Sequence, residues 1–234
     1  MHLGSRACQA ERLVRFLDRT ESEQLYLVGD TLDAWKLRSR LYWPTAHSKV
    51  VGRILDKAAH GTRVTYLVGN HDDILRPLLV RKLSWGRIEM ADEIVHETAL
   101  GQRLLVTHGD SFDKITAIGF RPLSMAADVA YTQLMRANRA VNWVQAGLGR
   151  PPSSVSAWAK QRVKQLIQRL SGFEDSVVYE CKRRKLSGMI CGHTHHAEIR
   201  PIKNGITYYN CGDWVESCTA LAEDADGHIR LIHQ

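Results

Sequence analysis

Four short polar clusters in this sequence carry side chains that bind cations: Gly29-Asp30-Thr31-Leu32-Asp33, Gly69-Asn70-His71-Asp72, His108-Gly109-Asp110 and Gly192-His193-Thr194-His195. Each follows an apolar run of strand length, and in layered α/β proteins the loops beyond strand ends converge. Together they offer carboxylate, amide oxygen and imidazole donors. That mixture suits hard or borderline divalent ions such as Mn²⁺, Fe²⁺, Zn²⁺ or Co²⁺, whereas soft copper(I) prefers sulfur. Glycine ahead of Asp30, Asn70 and His193 lets the backbone approach closely and take unusual torsions. A single Gly-Asp after a strand is commonly a turn, and a single loop histidine commonly just makes a hydrogen bond. Four such clusters in order, each at a strand end, point instead to a metal centre.

The elements that would position these clusters are legible as two hydrophobic periods. Leu13, Phe16 and Leu17 recur at helical spacing, as do Val50, Val51, Ile54, Leu55 and Ala58. Between and after them, residues 24–28 and 63–68 are short apolar runs ending in Gly29-Asp30 and Gly69-Asn70. Strand, helix, strand in that order predicts a βαβ unit with parallel strands. Residues 93–99 and 102–107 flank Leu100-Gly101 as a hairpin. Residues 188–191, 206–210, 218–223 and 228–233 read as further short strands, and this half is expected to be largely antiparallel. Between the halves, strand signals vanish over 112–186 and Pro151-Pro152 divides the segment. Residues 153–170 read as a basic amphipathic helix, with Trp158 and Leu166 on one face and Lys160 and Lys164 on the other. A helix packed on its own domain with a solvated polar face is the plainer reading of that pattern. The six tryptophans are expected in core or cap packing.

The 234 residues include 32 Lys and Arg against 25 Asp and Glu, a net charge of +7 that favours anionic partners. No window approaches the ~18 apolar residues of a membrane span, and residues 1–6 show no secretory-type stretch. Five cysteines without a CxxC pair fit a reduced, cytoplasmic chain.

The ordered set GD-x-x-D, GNHD, HGD and GHTH resembles that of the calcineurin-like metallophosphoesterase superfamily, from His2 to about Trp214. The resemblance implies an α/β fold, a four-layer α/β/β/α sandwich with residues 1–111 and 187–234 as its core and 112–186 as a helical cap insertion. It also implies two divalent metal ions, with Mn²⁺ expected and Fe²⁺, Zn²⁺ or Co²⁺ as alternatives. By the same resemblance Asp30 bridges both metals, Asn70, His108 and His193 bind one, and His2 and His195 bind the other. His71 would sit by the scissile phosphate, with Asp33 orienting it. Substrate contacts are expected from Asn70, His71 and His195, and from Lys160 and Lys164 of the cap. The family's D-x-H motif commonly reads S-D-x-H-L-G in the bacterial branch, and Met1-His2-Leu3-Gly4 matches its second half. The motif's aspartate and the strand that carries it, missing here, are therefore expected in an in-frame extension upstream of Met1.

Met1–Gly4, Gly29–Trp35, Gly69–Asp73 and Asn210–Glu216 further resemble UDP-2,3-diacylglucosamine diphosphatases, which cut the pyrophosphate of a UDP-linked lipid in lipid A synthesis. The sequence departs from that branch at His71, where GNRD is common. The implied function is a dimetal phosphoesterase acting on UDP-2,3-diacylglucosamine or a related UDP-sugar lipid. Two alternatives stay open: another metallophosphoesterase, acting on nucleotide, phosphoprotein or nucleic-acid phosphodiesters, and a non-catalytic remnant lacking one metal. The expected partner is a phosphorylated lipid or nucleotide-linked substrate, with peripheral contact to an anionic membrane on its cytoplasmic face and no specific nucleic acid.

Overall fold

The computed structural model describes residues 1–39, 41–80, 87–112 and 173–234. The chain divides into two compact units, Met1–Asp110 with Val178–Gln234, and Ser111–Val177. The basic helix expected over 153–170, its Lys160 and Lys164, and most of the expected cap lie outside the described residues.

In the larger unit, α1 (Ala10–Arg19) and α3 (Thr45–Ala59) bury Leu13, Leu17, Val50, Ile54 and Ala58, spaced three or four apart. That stripe is one face of a 3.6-residue helix, and it covers a sheet. The sheet is β1 (Gln24–Val28), β2 (Arg63–Leu67) and β3 (Ile88–Ala91), in the order β1-β2-β3 with both pairings parallel. Leu27, Val64, Tyr66 and Ile88 face the helices in one core. Alternation along the strands sends Tyr26, Val28 and Leu67 to the opposite side.

There they meet a second sheet, formed by β4 (Glu93–Glu97), β5 (Arg103–Thr107), β6 (Gly188–Cys191), β7 (Glu198–Pro201) and β8 (Thr207–Asn210), in the order β4-β5-β6-β8-β7. Leu104, Val106, Ile190 and Tyr209 fill the space between the sheets, with Leu221 and Ile229 from the antiparallel hairpin β9 (Thr219–Glu223) and β10 (Ile229–His233). On the far face of the second sheet Leu105, Met189 and Cys191 are fully buried. The helix α4 (Phe173–Arg184) carries buried Cys181 and ion-pairs through Arg184 to Glu93 of β4. Helices, sheet, sheet and helix make the four layers of an α/β/β/α sandwich.

The expectation that the second half is largely antiparallel holds for three of its five pairings and fails at the centre of the second sheet. The central pairings β5–β6 and β6–β8 are parallel, and only β4–β5, β7–β8 and the β9–β10 hairpin are antiparallel. Tight turns join the antiparallel pairs, whereas the chain between β5 and β6 is long enough for a crossover, which parallel pairing requires. Parallel strands also aim their C-terminal ends, and the loops that follow, in one direction.

At β1, β4 and β9 a half-buried polar chain ties the layers together. Tyr26 Oη lies 3.0 Å from His96 Nδ1, and His96 Nε2 lies 2.5 Å from Glu223 Oε2. Glu223 Oε1 accepts the Ala99 N–H at 2.8 Å. Removing one member leaves the others short of a partner, at a cost of about 1–3 kcal/mol. His96→Ala should therefore lower unfolding free energy by that order in urea titration with an unchanged m-value, and an unmoved midpoint would show that the chain contributes nothing to stability.

Candidate metal centre

Asp30 follows β1, and its carboxylate is the point on which the clusters converge. Asp30 Oδ2 lies 3.3 Å from His108 Nε2 and 3.7 Å from His2 Nε2, and Oδ1 accepts the His71 backbone N–H at 2.8 Å. The close approach leaves no room for side chains nearby. A Cβ on Gly29 would sit 2.1 Å from His108 Nδ1, and one on Gly69 would sit 2.4 Å from Asp30 Oδ1. Asp30, His2, His193 and His195 all hold positive φ, between 49° and 62°. Non-glycine residues adopt that region at a cost, and such strain clusters at functional sites.

On one side of Asp30, His108 Nδ1 is 3.1 Å from the Val28 carbonyl and donates to it. Its Nε2 then faces two acceptors, Asp30 Oδ2 and Asn70 Oδ1, the latter at 3.0 Å. Burial disfavours charge on this ring, but Asp30 outweighs it and raises the pKa to about 9. Nε2 and these two oxygens, within 3.3 Å of it, suit a proton or, in its place, a cation. The His193 ring meets that of His108 edge to face, with centroids 5.2 Å apart.

On the other side, His2 Nε2 and His195 Nε2 lie 3.3 Å apart, with the rings stacked at 5.0 Å. Burial pushes the His2 pKa down to about 3, so its ring is neutral. The Nε2 atoms of His2 and His195 and a carboxylate oxygen of Asp30 form one group able to hold a metal ion. His195 Nδ1 is 2.9 Å from Asp213 Oδ2, which leaves Nε2 as the ligating atom, the arrangement in which a carboxylate orients a metal-binding histidine. Asp213 is buried, which opposes its ionisation. The His195 bond and the backbone N–H groups of Val215, Glu216 and Ser217, all accepted by Oδ1, nonetheless hold it well below the usual carboxylate range. Both donor sets, oxygen and imidazole without thiolate, fit divalent cations.

His71 borders the centre. Its Nδ1 is 3.2 Å from Asp33 Oδ1, and Asp33 Oδ2 ion-pairs with Lys36 Nζ at 3.1 Å. Burial opposes charge on Asp33, but its contacts with His2, His71 and Lys36 depress its pKa strongly. The structure thus brings His2, Asp30, Asp33, Asn70, His71, His108, His193 and His195 to one end of the larger unit, while Lys160 and Lys164 lie outside the described residues.

Three residues of this centre escaped the sequence reading. Asp213 orients His195, as described. Asp72 accepts the Thr31 and Gly69 N–H groups at 2.9 and 2.6 Å and the Tyr66 hydroxyl at 2.5 Å, clamping the two ligand loops together. Trp35, expected in core or cap packing, instead stacks on His71. Asp72 closes the Gly69-Asn70-His71-Asp72 cluster and Asp213 lies within Asn210–Glu216, but nothing in the order of residues gives either a role; for Trp35 the signal is an aromatic residue two positions after Asp33.

Residues 1–197 match the family model of calcineurin-like phosphoesterases. The chain is similar to a UDP-2,3-diacylglucosamine hydrolase of Shewanella pealeana, 24% identical over 247 residues that cover 99% of this chain and 94% of that protein. A protein of the same description from Xanthomonas campestris pv. campestris is 27% identical over 250 residues, covering 97% and 94%. Among solved structures, an archaeal phosphodiesterase superposes with a TM-score of 0.42 at 11% identity, covering 97% of this chain and 92% of its own.

If the centre binds cations as its donors suggest, its affinity depends on both Asp30 and the carboxylate behind His195. Asp213→Asn should weaken Mn²⁺ binding about 10- to 100-fold, and Asp30→Ala should abolish tight binding, both read by isothermal titration of the metal-free protein. Affinity unchanged in both variants would contradict this assignment.

Proposed function

The chain belongs to the calcineurin-like phosphoesterase family, whose members are metal-dependent hydrolases, and from that premise we propose that it hydrolyses the pyrophosphate of UDP-2,3-diacylglucosamine or a closely related UDP-linked acyl sugar. The observation that carries the two-metal reading is the Asp30 carboxylate, with His108 and Asn70 on one side and His2 and His195 on the other. In this reading Asp30, Asn70, His108 and His193 would hold one ion, and Asp30, His2 and His195 the other. Mn²⁺ is the proposed ion, in keeping with oxygen and imidazole donors. Bound there, the ions neutralise phosphoryl charge and make a water acidic enough to deliver hydroxide near neutral pH.

The protein's own groups do the rest. His71, held at Nδ1 by Asp33, stabilises charge on the scissile phosphate or protonates the leaving oxygen. Asn70 and His195 border the same space and contact the phosphoryl oxygens. The substrate class is supported by the likeness to UDP-2,3-diacylglucosamine hydrolases over nearly the whole chain, and the +7 charge suits a diphosphate. An acylated substrate is met at a bilayer. Among the described residues no helix is long and apolar enough to cross one. Leu41 is 81% exposed, and with exposed Trp43 and Arg38 it gives the larger unit an apolar, basic edge suited to peripheral contact with an anionic leaflet. All five cysteines are free thiols, which fits the cytoplasmic side.

With Mn²⁺, kcat/KM for UDP-2,3-diacylglucosamine, followed by ³¹P NMR, should exceed that for a UDP-sugar without acyl chains and for bis(p-nitrophenyl) phosphate. A non-acylated UDP-sugar cleaved equally well would refute the lipid substrate. His71→Ala should lower turnover by ~10²-fold with metal content unchanged. Replacing Lys160 and Lys164 by Gln together should raise KM for the lipid-linked diphosphate more than for the small diester, and equal effects would contradict a substrate contact by these lysines.

A further inference from the structure

His71 lies beside both donor sets, with its Nδ1 3.2 Å from Asp33 Oδ1, and an aromatic ring covers one of its faces. The Trp35 indole lies against the imidazole with centroids 4.1 Å apart and planes 29° from parallel, an offset-stacked pair. His2 meets the same ring edge-on, with centroids 4.7 Å apart at 89°. Asp33 and Trp35 stand two residues apart at the start of the short helix α2 (Ala34–Ser39), which the His71 loop itself anchors. The Ala34 N–H donates to the His71 carbonyl at 3.1 Å, and Asp33 Oδ1 accepts the Lys36 N–H at 3.1 Å. One turn of chain thus delivers both a hydrogen bond to the edge of the ring and an aromatic wall to its face.

We propose that Trp35 is a positioning residue for His71, backing the face of the ring whose edge Asp33 holds and keeping the imidazole at the angle its role on the phosphate requires. Trp35 does this without touching the metals or the reacting atoms. The proposal rests on the catalytic role given to His71 above, but the contact itself can be tested without any reaction. Displacing a reacting group by about 1 Å can cost 10²-fold in rate, so losing the wall lowers kcat and leaves substrate affinity nearly alone.

Two measurements decide it. In the metal-free protein, NMR of the histidine rings, assigned by comparison with His71→Ala, should show the His71 ring protons shifted upfield by the indole. Trp35→Leu should release that shift, and Trp35→Phe should keep part of it. In the metal-loaded enzyme, Trp35→Leu should lower kcat about 10- to 100-fold with KM and metal content close to wild type, and Trp35→Phe should recover much of the loss. The Trp35→Leu, His71→Ala double variant should be no slower than His71→Ala alone. His71 resonances indifferent to Trp35→Leu, or losses that multiply in the double variant, would overturn the proposal. A His71→Ala enzyme with undiminished kcat would overturn the role of His71 and the catalytic part of this proposal with it, while the ring shift would still report the contact.

Discussion

A carboxylate buried to 3% exposure needs positive charge close by, and Asp30 is such a carboxylate. Burial alone would keep it protonated, yet His108 above all holds it well below the usual carboxylate range. An anion of this kind, faced on two sides by imidazoles, is most stable with cations between itself and those rings. Its neighbours follow from that demand. Gly29 and Gly69 are the residues that let His108 and the Asn70 loop come within reach, and left-handed backbone at His2, His193 and His195 turns the imidazoles inward.

The scaffold carries the cost of that arrangement. Parallel strands in both sheets end on the same side, so β1, β2, β5, β6 and β8 each hand one loop to the centre. Two aspartates that bind no cation in this account stiffen the loops. Asp72 gathers backbone N–H groups from the loops after β1 and β2, and Asp213 gathers three of its own loop while orienting His195. Arg76 adds an ion pair to Asp110 at 2.9 Å beside the loop after β5. Each of these carboxylates satisfies donors that would otherwise be stranded under the site.

Much of this was legible in the amino-acid order. Strand and helix periods located β1, β2, α1, α3 and the β4–β5 hairpin within a few residues, because each buries one regular face. The clusters at the strand ends named the side chains that meet around Asp30. Pairing direction in the second sheet was not legible, since short apolar runs such as Gly188–Cys191 look the same in either orientation once both faces are buried. The strand β3 and the helix α2 went unseen for a related reason: β3 has one buried apolar residue, Ile88, and α2 has none. The stacking of Trp35 on His71 is a tertiary contact between the start of α2 and the loop after β2, and neighbouring residues carry no trace of it. The supporting roles of Asp72 and Asp213 were hidden likewise, because a carboxylate that binds backbone N–H groups reads no differently from one that binds a metal.

The central claim is that Asp30 is shared between two cations, and anomalous diffraction from crystals of the protein grown with Mn²⁺ tests it most directly. The account predicts two anomalous peaks separated by ~3.5–4 Å, both in contact with the Asp30 carboxylate, one also with Asn70, His108 and His193 and the other with His2 and His195. A single peak, or two peaks of which neither touches Asp30, would contradict it.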